Sequence, residues 1–462
     1  MSEPSSSMEF SAPQRQDSIQ SSRAGRTASL LGTGAKVGIN YLKHYGKKSV
    51  GGESTRSDLD RQNAEDVYDT FSKLKGGPLK MAQMLSIDQS LLPEAYAKEF
   101  SKAQYSAPPL SYPLVVRTFK REFNQAPTEL FDSFQQDASH GASIGQVHQA
   151  SLGDRKMAVK VQYPGVAESL KSDLAIVKPI ALQIMGMREE DVDMYFQEVR
   201  ERLLEETDYV LELQRSIDLS DRSSDVANLR FPKYYPELSS KRVLTMDWID
   251  GLPLDKFVAT DASQAARDKV GQALWDFYHR QIHELRLFHA DPNPGNFLVD
   301  AAGCLVALDF GCTKQLSDEF YYKNFIFLDP SVTQDRQRLI ECLEELDILL
   351  PTDSPEQRKE FVDVCIPSIE LLARPFRSSE FDFSDRDFLQ AIYEMGQSNR
   401  QNEVLKSMRG ARGSAHSIYV NRTYFGLYSL LARLGCRIQT YLPDWVLAEP
   451  PSESRSPESV SL

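Results

Sequence analysis

Two clusters of polar residues constrain this 462-residue chain more than anything else in it. The first reads His289-Ala290-Asp291-Pro292-Asn293-Pro294-Gly295-Asn296, and the second, Asp309-Phe310-Gly311, follows an apolar strand-like run that starts at Leu305. An aspartate that ends a strand ahead of glycine is, taken alone, an ordinary turn signal. The octapeptide at a fixed distance upstream makes that bland reading a poor account of both.

The spacing is that of H-x-D-x-x-x-x-N followed by D-F-G in protein kinases. Magnesium prefers octahedral oxygen ligands, and bridging it to nucleotide phosphates calls for a carboxylate and an amide oxygen that converge on one point. Asn296 and Asp309 are therefore the expected metal ligands, with ATP and Mg2+ as the implied cofactors. Asp291 is expected to face the acceptor, orienting a hydroxyl or water and taking its proton. His289 is expected to brace the loop.

Upstream, Met157-Ala158-Val159-Lys160 stands where kinases carry V-A-I-K, and Lys160 is expected to reach the α and β phosphates. Met157, Val159 and Val161 alternate with Ala158, Lys160 and Gln162, a strand pattern, and Gly153-Asp154 marks a hairpin turn back to a strand near Ile144 to Gln149. A lone strand lysine is more often a solvated edge residue. Glu205, Asp208 and Glu212 fall on one helical face that is expected to offer it a carboxylate; an exposed acidic face is the plainer reading of that cluster. Ala142-Ser143-Ile144-Gly145-Gln146-Val147-His148 takes the place of the glycine-rich loop, with Ser143 and backbone amides at Ala142 and Gly145 capping phosphates. A strand from Arg242 is expected to end near Asp247, where a kinase-like fold hinges and adenine binds.

The order of segments predicts an α+β, two-lobed protein-kinase-like fold with a helical N-terminal extension. Residues 1–28, polar and Ser-rich, are expected to be disordered. Residues 29–60 form a basic amphipathic segment that either rests on an anionic membrane surface or packs on its own protein. The helical extension covers 61–135, the N-lobe 136–250, the C-lobe 251–445, and a Pro/Ser/Glu-rich disordered tail 446–462. Gly32, Gly34 and Gly38 misfit G-x-G-x-x-G, and Gly46-Lys47 lacks the upstream glycine of a Walker loop, so neither is read as a phosphate loop.

Net charge and cysteine usage narrow the partners. With 66 acidic against 53 basic residues the formal charge is -13, which disfavours nucleic acid. Five scattered cysteines with no C-x-x-C pair fit a reducing compartment and neither a zinc site nor a disulfide framework. The apolar run from Thr423 to Ala432 is bracketed by Arg422 and Arg433 and is too short to span a bilayer. No signal peptide opens the chain, so secretion is not expected.

Across roughly residues 60 to 330 these motifs resemble the UbiB/AarF (ABC1-type) family of atypical kinase-like proteins. That family's K-x-G-Q-x-x-S helix is matched by Lys80-Met81-Ala82-Gln83-Met84-Leu85-Ser86, with alanine in place of the glycine. Its E-x-D element is matched by Glu206-Thr207-Asp208, and its pattern makes Glu212 the partner of the strand lysine. The resemblance implies that Lys80, Gln83 and Ser86 belong to a regulatory helix, with Lys80 meeting Glu206 and Asp208, folded where a protein kinase would admit a peptide. No A-P-E triplet follows Gly311 at activation-loop distance, in keeping with this.

The resemblance further implies ATPase or small-molecule kinase chemistry supporting ubiquinone or isoprenoid-lipid biosynthesis. The implied partners are a quinone precursor or isoprenoid lipid, quinone-biosynthesis enzymes and a peripheral membrane contact. The implied location is a cytoplasmic or mitochondrial-matrix-like compartment. Two alternatives use the same residues: a non-catalytic nucleotide-switched scaffold, and an aminoglycoside- or choline-type phosphotransferase. The Lys80–Ser86 helix argues against the second.

Overall fold

The computed structural model describes residues 25–33, 35–36, 40, 56–74, 78–79, 81–82, 94–101, 111–141, 144–185, 196–197, 200–201, 203–408 and 412–446. The chain divides into two compact units. The first takes residues up to Ser224, then Arg230–Gly251 and Val306–Cys312; the second takes Asp225–Leu229, Leu252–Leu305 and everything from Thr313. The Asp309-Phe310-Gly311 segment thus belongs to the first unit, not to the C-lobe expected over 251–445.

The first unit is built on an antiparallel sheet of β1 (Ser133–Phe134), β2 (His140–Gly141), β3 (Gly145–Leu152), β4 (Arg155–Gln162) and β5 (Val243–Asp247). β4 lies between β3 and β5, and Lys160 is opposite Val147 on one side and Leu244 on the other. The turn expected at Gly153-Asp154 is there, with Gly153 at φ +58°, a conformation that glycine adopts without steric cost. Strand alternation sorts the side chains. Met157, Val159 and Val161 enter an apolar cluster with Val115, Phe119 and Phe134, the first two carried by α1 (Tyr112–Phe123). The opposite face, at Ala158 and Leu244, packs with Ile144, Tyr209 and Leu213, the last two on α2 (Tyr209–Arg222). Lys160 sits on that second face and meets α2.

A separate apolar cluster in the first unit joins the helix Arg56–Leu74, through Val67, Phe71 and Leu74, to Tyr96, Phe100 and the helix Val166–Met185. Residues 25–33 are helical and contribute Leu30 to it. The expected disorder of 1–28 is therefore corrected for 25–28; residues 1–24 lie outside the described residues. The physical reason is Arg26, which is 2% exposed, donates to Asp173 through Nε at 3.1 Å and to the Leu74 carbonyl at 2.6 Å. Paired this way, a charged residue in a polar stretch becomes part of a core.

The second unit is mainly helical. Its loop from His289 to Asn296 leaves the short strand Leu287–His289, which pairs antiparallel with Thr313–Gln315 so that His289 faces Thr313. Helices follow, among them the short Asp318–Phe325 and the long Pro355–Ala373 and α3 (Ala415–Leu434), the last of which ends on Gly435 in the left-handed conformation. None of the described helices is long and apolar enough to cross a membrane.

Candidate functional site

In the first unit Lys160, Glu212 and Asp309 come together. Lys160 Nζ donates to Glu212 Oε1 at 2.6 Å and to Asp309 Oδ2 at 3.0 Å. The side chains of Lys160 and Glu212 are 10% and 3% exposed, whereas Asp309 is 35% exposed. Burial opposes the charged ammonium, but Asp309 and Glu212 outweigh it and hold the amine well above its ordinary range. Burial also pushes the Glu212 carboxyl up to about 7, drawn down by Lys160 and up again by Asp309. The Lys160 ammonium also lies 5.1 Å from the centre of the Tyr209 ring, a cation–π contact.

Glycine keeps this set close-packed at two positions. A Cβ on Gly145 would lie 2.6 Å from the Val161 carbonyl oxygen and 2.7 Å from the Tyr209 hydroxyl. One on Gly311 would lie 3.2 Å from Asp309 Oδ1 and 3.4 Å from Glu212 Oε2, and the Gly311 amide donates to Asp309 Oδ1 at 2.8 Å. Gly145 is therefore explained by packing against Tyr209.

The acidic run does not form one helical face. The chain breaks at Thr207-Asp208, and Asp208 is the N-cap of α2, accepting from the amides of Val210 and Leu211 at 3.1 and 3.2 Å. Asp and its short side chain suit that position, where it satisfies donors that the first turn leaves open. Glu205 pairs with Arg215 at 2.9 Å, Glu206 is buried, and only Glu212 meets Lys160. Asp247 ends β5 as expected, and its carboxylate accepts from the Tyr235 hydroxyl at 2.7 Å and the Lys233 amide at 3.2 Å. Lys80, Gln83, Ser86, Ala142 and Ser143 lie outside the described residues; Met81 and Ala82, between the first two, are buried.

In the second unit the octapeptide folds on itself. Asn296 Nδ2 donates to the Asp291 carbonyl at 2.9 Å, so its amide oxygen is not used in that bond. Asn293 Oδ1 accepts from the Gly295 amide at 3.0 Å. His289 is buried, its amide donates to Gln281 Oε1 at 2.8 Å, and its Nδ1 is 3.4 Å from the Tyr278 hydroxyl, as a bracing residue should be. Asp291 Oδ1 accepts from Arg422 Nη2 at 2.9 Å. Sequence reasoning missed Arg422, seeing in it only the boundary of an apolar run, and it missed Tyr209; no local pattern marks either one.

The sequence profile of the ABC1 atypical kinase-like domain matches residues 102–343. The chain is 30% identical over 379 residues to "Atypical kinase COQ8B, mitochondrial" of Rattus norvegicus, a match covering 80% of this chain and 71% of that one. It is 29% identical over 381 residues to "Probable serine/threonine-protein kinase abkA" of Dictyostelium discoideum, covering 78% of this chain and 66% of that one, just under two thirds of the relative's length. Among solved structures, that of Rv3197 with erythromycin from Mycobacterium tuberculosis superposes with a TM-score of 0.57 at 25% identity, over 83% of this chain and 95% of that one. The strand lysine, its helical glutamate and the D-F-G aspartate were expected from kinase-like motifs, and the profile spans all three: the chain belongs to the ABC1 atypical kinase-like (UbiB) family.

Proposed function

We propose that the protein binds Mg-ATP and either hydrolyses it or transfers its γ-phosphoryl group to a small molecule, in support of ubiquinone or related isoprenoid-lipid synthesis. The observation that carries this reading is the ammonium of Lys160, buried on a central strand between two carboxylates. A buried charge set of this kind is weak as a stabilising device, because desolvation offsets most of the Coulomb gain. It is well suited to phosphate binding, since the lysine is charged, fixed by Glu212 and next to the half-exposed Asp309.

The residues fit the metal as well. Magnesium in nucleotide sites uses one or two protein oxygens and completes its shell with phosphates and water. Asp309, 35% exposed in the first unit, offers a carboxylate, and Asn296 in the second unit offers an amide oxygen; both are the hard oxygen donors that magnesium takes. When bound, the ion neutralises charge on the phosphates. Lys160 binds the α and β phosphates, Glu212 orients Lys160, and Asp291 positions the attacking hydroxyl or water. Ala142, Ser143 and the amide of Gly145 cap the phosphates, and the backbone near Asp247 contacts adenine. Lys80, Gln83, Ser86, Glu206 and Asp208 form the regulatory element of the family pattern. The word mitochondrial in the name of the COQ8B relative supports a mitochondrial or other reducing compartment; peripheral membrane contact and quinone-synthesis enzymes as partners are part of the proposal through the family resemblance alone.

Thermal denaturation with ATP or ADP, with and without magnesium, tests the reading, because a ligand held only by the folded state raises the midpoint by mass action. A magnesium-dependent rise, lost in Lys160→Ala, together with magnesium-dependent phosphate release, is the expected outcome. No shift with any nucleotide sinks it.

A further inference from the structure

We infer that Arg422, on a helix beyond the residues matched by the family profile, is the positioning residue for Asp291. Two independent contacts place α3 against the loop. Arg422 Nη2 donates to Asp291 Oδ1 at 2.9 Å, with the two side chains 16% and 19% exposed. One helical turn on, at Gly426, a Cβ would fall 2.3 Å from Pro292 Cγ. Residues four apart share a helix face, so one face of α3 seats two consecutive loop residues, 291 and 292. The family profile ends at residue 343, well before this helix.

The chemistry explains why arginine serves there. Asp291 has rotational freedom about its Cα–Cβ and Cβ–Cγ bonds, and a carboxylate that orients an acceptor must hold one plane. A guanidinium is planar, permanently charged and rigid, so its hydrogen bond to one carboxylate oxygen restricts the rotation of Asp291 at little cost in its own freedom. Both groups are shielded from bulk water, which strengthens their pairing over that of an exposed pair. The absence of a side chain at Gly426 lets the loop approach the helix closely enough for this bond to form. Asn296 completes the hold from within the loop, through its bond to the Asp291 carbonyl. The Asp291 side chain is thus oriented by α3, and its backbone by the loop.

This role rests on the proposed ATP chemistry, and the test separates the two. Steady-state Mg-ATP turnover is measured on the full chain for the wild type, Arg422→Ala, Arg422→Lys and Gly426→Ala, with melting temperatures recorded for all four. Misplacing a reacting group by an ångström costs up to about 100-fold, so Arg422→Ala is expected to lower kcat by about 10- to 100-fold. KM for Mg-ATP changes little, because Arg422 does not bind the nucleotide. Arg422→Lys, which keeps the charge and loses the planar fork, recovers part of kcat. Gly426→Ala, which pushes Pro292 away, lowers kcat in the same way and keeps the test open should Arg422→Ala fail to fold. Wild-type kcat in Arg422→Ala overturns the role while leaving the ATP chemistry standing. Equal losses in the alanine and lysine variants that simply follow melting temperature also overturn it, as an effect of folding alone. A wild type with no turnover defeats the proposed function itself and removes this role with it.

Discussion

Lys160 Nζ lies 2.6 Å from Glu212 Oε1 across 52 residues of sequence, and both side chains are buried. The pair therefore depends on each partner in different ways. Removing the lysine strands a buried carboxylate, which costs about 3 to 5 kcal/mol when the carboxylate stays charged. Glu212 is already pushed up to about 7 with the ammonium beside it. In Lys160→Ala it is expected to take up a proton at neutral pH and keep the loss near the lower bound.

The pH dependence of that variant follows from the direction of the shift. An acid whose folded pKa is raised contributes stability below its unfolded value of 4.5 and loses it as pH climbs through the folded value. Lys160→Ala should consequently be penalised more at alkaline than at mildly acidic pH. Urea midpoints of wild type and variant across that range check it, and a constant difference would contradict it.

Gly145→Ala is expected to destabilise by about 1 to 3 kcal/mol, as overpacking does in a filled core. The added methyl group meets backbone oxygen at Val161 and the Tyr209 hydroxyl, neither of which is a flexible side-chain end. Chemical denaturation measures the change. An unaltered midpoint would show that β3 shifts freely.

Two neighbouring buried histidines, His279 and His283, with ring centres 4.5 Å apart, make the second unit sensitive to acid. Burial lowers His279 to about 4, and burial with His279 and Arg286 nearby holds His283 well below its usual value. His283 lies between the hydroxyls of Tyr321 and Tyr424, at 2.9 and 2.8 Å. Groups kept neutral in the fold bind protons in the unfolded chain once pH drops below 6.5, so their share of stability is complete above that value and is lost on the way down to about 4. His279→Phe, which retains the ring packing against Trp275 and Tyr441, should flatten the decline in melting temperature between neutral pH and about pH 5. Parallel declines in both proteins would rule out His279 as a source.

Arg26→Met is expected to cost about 3 to 5 kcal/mol, because Asp173 is left buried without its guanidinium partner. Equilibrium unfolding followed by a probe in the helix Val166–Met185 reports it. A loss under about 1 kcal/mol would mean that water reaches Asp173, as for an exposed pair.

The sequence made the sheet and its lysine legible because period-two alternation and a glycine turn are local signals, and β3 and β4 form where they indicate. Glu212 was legible only by analogy. Helical periodicity grouped it with Glu205 and Asp208, yet an N-cap aspartate ends that periodicity, and the capping preference of aspartate was the signal that could have shown the break. Arg26 and Arg422 were illegible for another reason. Each is defined by a partner 147 and 131 residues away, and nothing in its own neighbourhood distinguishes it from a solvated charge. Asp247 was placed correctly at its strand end, while its bonds to Tyr235 and Lys233 emerge only from tertiary packing.

The return of residues 306–312 to the first unit bears on how the protein is made. Lys160 and Asp309 are 149 residues apart, and the stretch between them includes Asp225–Leu229 and Leu252–Leu305 of the second unit. Domains usually fold in order as they leave the ribosome. Here the first unit cannot close its charged centre until translation has passed Cys312, so the nascent chain carries Lys160 and Glu212 as an unfinished ion pair while the loop bearing Asp291 is already synthesised.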